Sequence, residues 1–364
     1  MINENAKSKK QFPLSSAEQM SVSSKAEHDQ SLRSLISIIL TVAVIVLVGL
    51  GGIVFILTLG PEKFESSTKQ KEEPAVKDEL WKAPDISTLP NTESGNLIKY
   101  GRELISFTSK YLGPNGTVMS LSNGMNCQNC HLDAGTRPFG NNYSAVASTY
   151  PRFRARSGTI ETIEKRVNDC LERSLNGNTL ANDSREMRAM VAYIQWVGKD
   201  VPKGESPKGV GLLKLPFLDR PASVENGKLV YDKICVVCHG KSGEGIALAD
   251  STGWQYPPLW GNNSYNFGAG LFRLSRFAGY VKANMPYGAT YDAPQLTDEQ
   301  AWDVAAYVNS LPRPAKDLSA DWPDISKKPI DHPFGPYADE FTELQHKLGP
   351  FKPIEEKQKQ TTPK

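Results

Sequence analysis

Histidine and cysteine are scarce in this chain of 364 residues, with five of each. So few potential ligands leave little freedom for metal chemistry, and the position of each one carries weight. A dominant charge is missing as well. Lys and Arg number 42 against 40 Asp and Glu, and a formal net charge of +2 points to no nucleic-acid partner. No small-x-small cleavage pattern follows the long apolar run near the N-terminus, which argues against a removed signal peptide.

What is present is repetition. Four of the five cysteines fall into two identical frames, Cys127-Gln-Asn-Cys130-His131 and Cys235-Val-Val-Cys238-His239. Cys-x-x-Cys-His is the attachment signature of c-type haem. Two thioethers hold the porphyrin and the adjacent histidine supplies the proximal ligand to iron. A single Cys-x-x-Cys could be a redox dithiol or half of a zinc site. Two copies, each followed at once by histidine and far apart in the chain, do not fit the four-ligand knuckle of structural zinc. Two covalent haems are expected, on Cys127 and Cys130 with His131, and on Cys235 and Cys238 with His239.

Residues Leu35 to Leu59 carry no charge and are rich in Ile, Val and Leu, a run long enough to cross a bilayer. The expectation is a disordered cytoplasmic tail over 1–31, an uncleaved single-pass anchor over 32–60 and a charged linker over 61–94. Basic residues give a weak positive-inside bias, with Lys7, Lys9, Lys10, Lys25 and Arg33 before the run and Lys63, Lys69 and Lys71 after it. Haem attachment in bacteria takes place outside the cytoplasmic membrane, which puts the haem domains on the periplasmic side of the inner membrane. A free thiol is a liability in that oxidising compartment.

The fold expected is mainly α, with two tandem haem lobes over 95–205 and 206–312 and an extended tail over 313–364. Lobe one opens with a helix over Leu97–Phe107 and closes with one over Ser184–Trp196, capped by Asn182, Asp183 or Ser184. Lobe two opens over Val224–Tyr231 and closes over Thr297–Val308, where Thr297 and Gln300 suit a capping box. Both closing helices carry Ala-Tyr followed by Ile or Val, as diverged duplicates would. A turn-rich linker, 203–211, joins them. The arrangement resembles the cytochrome c domain, whose first and last helices cross beside a haem.

The lobes differ in their candidates for the sixth iron ligand. Lobe two offers Met285, in Asn284-Met285-Pro286 ahead of the closing helix; His/Met ligation raises the potential and leaves no open site. Lobe one has no such methionine: Met119 and Met125 precede its haem motif, and the spacing of Met187 and Met190 within the closing helix suits core packing. In the equivalent window stands the odd cysteine, Cys170, whose four possible disulfide partners are consumed by thioethers. An intermolecular disulfide or an inert buried thiol would be the plain readings. As a thiolate ligand it would lower the potential of its haem, so that electrons would run from lobe one to lobe two. Around it, Arg152, Arg154 and Arg156 alternate, and a helix over 159–174 brings Arg166, Cys170 and Ser174 to one face. Guanidinium forks and a hydroxyl suit a small dianion, although arginines there could equally neutralise haem propionates.

Three segments carry a closer likeness: Asn126–Gly135, Arg166–Gly177 and Lys328–Tyr337. They resemble the dihaem thiosulfate dehydrogenases, some of which work as tetrathionate reductases. The resemblance covers 95–355 and excludes the anchor. It implies that Cys170 is the distal ligand of a catalytic haem and that Arg156, Arg166 and Ser174 hold thiosulfate. It also implies that Asn284, where some members have lysine, leaves a simple His/Met pair on the second haem. The reaction expected is the joining of two thiosulfates into tetrathionate, with electrons passed to an external acceptor such as a small cytochrome c. A dihaem shuttle without substrate chemistry would have methionine on both haems, and a sulfur-transferring cytochrome would need a carrier protein. His332 and His346 lie among Pro, Lys and Glu outside the lobes and are expected at the surface.

Overall fold

The computed structural model describes residues 33–47, 79–250 and 252–361. The chain divides into two compact units, 1–77 and 78–364. In the first unit a helix, α1, runs over 33–47 with its apolar side chains exposed. Among the described residues no helix is long and apolar enough to cross a membrane, so the anchor expected over 32–60 is not supported there. The rest of that run, the tail over 1–31 and most of the linker over 61–94 lie outside the described residues.

The second unit is mainly helical and built from two similar lobes. In lobe one, α2 (Glu93–Ser106) packs on α4 (Arg185–Val197), with α3 (Ile163–Arg173) between them in sequence. Lobe two pairs α5 (Val224–Val230) with α7 (Asp298–Ser310), and α6 (Leu274–Asn284) packs on α7. Hydroxyl caps set the helix starts. Thr92 accepts from the Gly95 amide, which starts α2 ahead of the expected Leu97, and Ser184 is the cap of α4. The Thr297–Gln300 capping box closes as expected.

Each pair of crossing helices meets at a glycine. A Cβ on Gly101 would lie 1.9 Å from the Ala189 carbonyl oxygen, and one on Gly227 would lie 1.9 Å from that of Asp303. Tyr193 and Tyr307 sit at corresponding places beside these contacts. The backbones approach closely only because neither glycine has a side chain.

Two expectations need correction in lobe one and between the lobes. The helix expected over 159–174 starts at Ile163, because Thr162 caps it. Thr159–Glu161 instead forms a strand, β2, antiparallel to β1 (Arg152–Arg154) with Phe153 opposite Ile160; β-branched residues suit that pairing. The 203–211 segment is no free tether either. Gly209 and Gly211 carbonyls accept from the Phe139 and Asn141 amides, each at 2.8 Å, just beyond the haem motif of lobe one.

The tail is folded rather than extended. It contains α8 (Glu343–Leu348) and α9 (Lys352–Thr361), and its Phe351 and Ile354 enter the core of lobe two. Packing of these apolar side chains gives the segment a reason to fold that its charge and proline content conceal. His332 and His346, expected at the surface, are buried, at 6% and 1% exposure. His346 bonds through both ring nitrogens, to the Ile330 carbonyl at 2.7 Å and to Asp339 at 3.0 Å, and stacks on Tyr337. It is committed to holding the tail.

Candidate active site

A cavity of about 360 Å³ opens in lobe one, lined by Cys127, Cys130, His131, Arg166, Cys170 and Ser174 among others. Its walls come from three places. Lobe one supplies the haem motif, the β1–β2 hairpin and α3; lobe two adds Arg273 and Arg276 from the start of α6; the tail adds Trp322. Cys170 stands mid-helix on α3, one turn after Arg166, so both side chains leave the same face.

The residues fit a c-type haem. The Nδ1 atom of His131 bonds the Asn141 carbonyl at 2.5 Å, which fixes the ring and aims Nε2 away from that carbonyl. The only neighbour of Nε2 in bonding range among the described residues is the Asn141 side-chain nitrogen at 3.5 Å, the limit of a hydrogen bond. Burial lowers the His131 pKa to about 4, so the imidazole is neutral, as an iron ligand must be. His239 repeats the arrangement in lobe two, its Nδ1 bonding the Pro257 carbonyl at 2.9 Å. Met285 follows the last residue of α6 and packs partly buried against the lobe-two core. Met187 and Met190 lie in the lobe-one core, and Met190 also lines the cavity.

Electrostatics separate the arginines. The charge of Cys170 is the largest influence on Arg166 and raises its pKa against the opposing effect of burial. Arg156 is otherwise engaged: its Nε and Nη2 bond Asp321 at 2.9 and 2.8 Å. Arg173, at the end of α3, forms a two-pronged pair with the same carboxylate at 3.0 and 2.9 Å. Burial works to raise the Asp321 pKa, and the two guanidiniums overcome it and hold the group below its ordinary value. Arg154 lies 3.7 Å from Glu161, and Arg152 is exposed over the Tyr150 ring. Ser174 lines the cavity as the C-cap of α3.

Sequence reasoning missed Asp321, Trp322, Arg273 and Arg276. All lie more than 100 residues beyond the first haem motif, and nothing local marks them. Only the fold of lobe two and of the tail brings Arg273, Arg276 and Trp322 to the cavity wall and Asp321 to the lining residue Arg156.

Comparison with known proteins agrees with this geometry. Residues 118–202 match the SoxA/TsdA cytochrome c domain family and 224–312 match the cytochrome c family. The thiosulfate dehydrogenase of Psychrobacter arcticus is 39% identical over 67% of this chain and 72% of its own length. The chain is an enzyme of the thiosulfate dehydrogenase family. The thiosulfate dehydrogenase of Allochromatium vinosum is 38% identical over 64% of this chain and 83% of its own length. Among solved structures, the thiosulfate dehydrogenase (TsdBA) of Marichromatium purpuratum matches 65% of this chain with a TM-score of 0.59 and 30% identity. This chain spans half the length of that longer chain. As two cytochrome c domains of this family, the lobes carry covalently bound c-type haems.

Proposed function

We propose that this chain oxidises two thiosulfates to one tetrathionate in the lobe-one cavity. The observation that carries the reading is that Cys170 and Arg166 share one cavity with Cys127, Cys130 and His131. In this reading Cys170 is the distal ligand of the lobe-one haem and Met285 that of the lobe-two haem. The names of the relatives, all thiosulfate dehydrogenases, support the choice of substrate.

When bound, the haems supply the one-electron acceptors that take two electrons per turnover and pass them outward. The chain's residues do the rest. The Cys170 thiolate bonds to the outer sulfur of the first thiosulfate, forming Cys–S–S–SO3⁻ as two electrons leave. The outer sulfur of the second thiosulfate then attacks the adduct's sulfur that lies between Cys170 Sγ and the sulfonate. The bond to Cys170 breaks, tetrathionate departs and the thiolate is restored, so charge and atoms balance. Arg166 offsets the repulsion between two approaching dianions, and Ser174 offers a hydroxyl to an oxyanion. Arg156 commits its Nε–H and one Nη2–H to Asp321, so only its remaining N–H groups can face an oxyanion.

The same steps run backwards would reduce tetrathionate. The charge-free run over Leu35–Leu59 and the export that haem attachment requires support anchoring in the inner membrane with the haem lobes outside it. The acceptor is then an extracytoplasmic redox protein such as a small cytochrome c. A haem-loaded Cys170→Gly chain, assayed for thiosulfate oxidation with ferricyanide, tests the reading. Loss of activity is expected, and retained activity would remove the thiolate from the mechanism.

A further inference from the structure

Two groups lining the lobe-one cavity lack side-chain partners, and neither belongs to lobe one. Arg276, from α6 of lobe two, makes no ion pair and no side-chain hydrogen bond among the described residues. Burial first, then the like charges of Arg273, Arg166 and Arg154, outweigh Asp331 and lower its pKa to about 10. Each of those arginines has its own anion, in Asp331, the Cys170 charge and Glu161 respectively. The second group is the indole of Trp322, in the tail. Its Nε1 is buried with no acceptor. Its backbone stands at φ 62°, a conformation that costs a bulky residue energy, and its amide donates to the Arg156 carbonyl at 2.7 Å.

A half-buried cation that lines a cavity without a counter-ion and a buried N–H without an acceptor are both costly. The acceptors must therefore be present in the resting protein. Thiosulfate arrives only during turnover. The two carboxylates of a covalently held porphyrin are permanent, and they lie at the edge opposite the thioethers. Arg276 also bears on His131.

We propose that Arg276 and Trp322 are the propionate partners of the lobe-one haem, so that lobe two and the tail complete a cofactor site whose covalent attachment is in lobe one. The reduction potential of that haem then depends on how lobe two and the tail pack. This inference rests on the haem and not on the substrate, and its test does not require thiosulfate turnover.

The experiment is a spectroscopic redox titration of the full, haem-loaded chain from pH 5 to pH 8, for wild type, Arg276→Gln, Arg276→Lys and Trp322→Phe. Removing the cation leaves a propionate uncompensated and favours ferric iron. Arg276→Gln should lower the lobe-one potential by an amount equal to a tenfold change in the oxidised-to-reduced ratio, about 59 mV for one electron. It should also introduce a pH dependence as the freed carboxylate titrates. Arg276→Lys should restore most of the potential. Trp322→Phe keeps the ring and drops the N–H, and should shift the same haem in the same direction by less. An unmoved lobe-one potential in both Arg276→Gln and Trp322→Phe overturns the proposal. If KM for thiosulfate rises tenfold at the same time, the two residues bind substrate instead.

Discussion

The two lobes share a scaffold and part company at one segment. Both cross their opening and closing helices at a glycine, Gly101 and Gly227, and both tether the haem histidine through Nδ1 to a backbone carbonyl. Ahead of the closing helix, lobe two ends α6 at Asn284 and delivers Met285 from its C-cap. Lobe one uses α3, with Cys170 in mid-helix and Arg166 one turn before it. A methionine at a helix end closes a site. A cysteine inside a helix comes with neighbours at fixed spacing, and here one of them is a cation facing a cavity. On the proposed reading, the duplicated scaffold supports two chemistries through the change in its distal segment and in what packs over it.

The largest expected effect comes from erasing that difference. Cys170→Met should make lobe one resemble lobe two, raise the potential of its haem and lower thiosulfate oxidation by 10³-fold or more, about 4 kcal/mol. Activity within tenfold of wild type would show that the lobes do not differ in the way described. Next come the shared glycines. Gly101→Val and Gly227→Val should each destabilise the chain by about 3 kcal/mol or more through overpacking against a carbonyl. Thermal unfolding measures both, and a tolerated change at either site would break the scaffold half of the comparison.

Asp321 pairs with arginines of lobe one, and Asp321→Asn should cost about 2 kcal/mol by leaving Arg156 and Arg173 without their shared anion. Because the folded Asp321 pKa is held below its ordinary value, its contribution is complete above the unfolded carboxylate range. It fades as pH falls through the lower folded value. Stability of the variant should therefore be less sensitive to acid below pH 4 than that of wild type. The smallest effect concerns His332, whose pKa burial lowers to about 4. The unfolded chain binds this proton at higher pH than the folded one, so stability is full above pH 6.5 and declines toward pH 4. Between pH 7 and pH 5 the loss attributable to His332 should be roughly 1 to 2 kcal/mol. A His332→Asn chain should show a shallower decline in chemical denaturation over that range.

Much of the scaffold was legible in the sequence because its signals are local. The Cys-x-x-Cys-His frames, the Thr297–Gln300 box and the Ala-Tyr repeats all act within a turn or two of themselves. Cys170 and Arg166 were legible for the same reason, being one helical turn apart. The start of α3 was misjudged because its helical periodicity continues smoothly into Thr159–Glu161, and only the partner strand Arg152–Arg154 reveals those residues as β-structure. The tail misled more. Its prolines and charges hide Phe351 and Ile354, whose burial depends on the lobe-two core. Asp321 looked like any charged loop residue, yet it decides which arginines are free. Pairings across more than 100 residues leave no trace in spacing.

Electron paramagnetic resonance of the fully oxidised chain tests the central claim most directly. If the Cys170 sulfur binds the lobe-one iron, wild type shows a low-spin His/thiolate signal beside a His/Met signal, and Cys170→Gly loses only the former. Two His/Met signals, or a thiolate signal that survives the substitution, would contradict it.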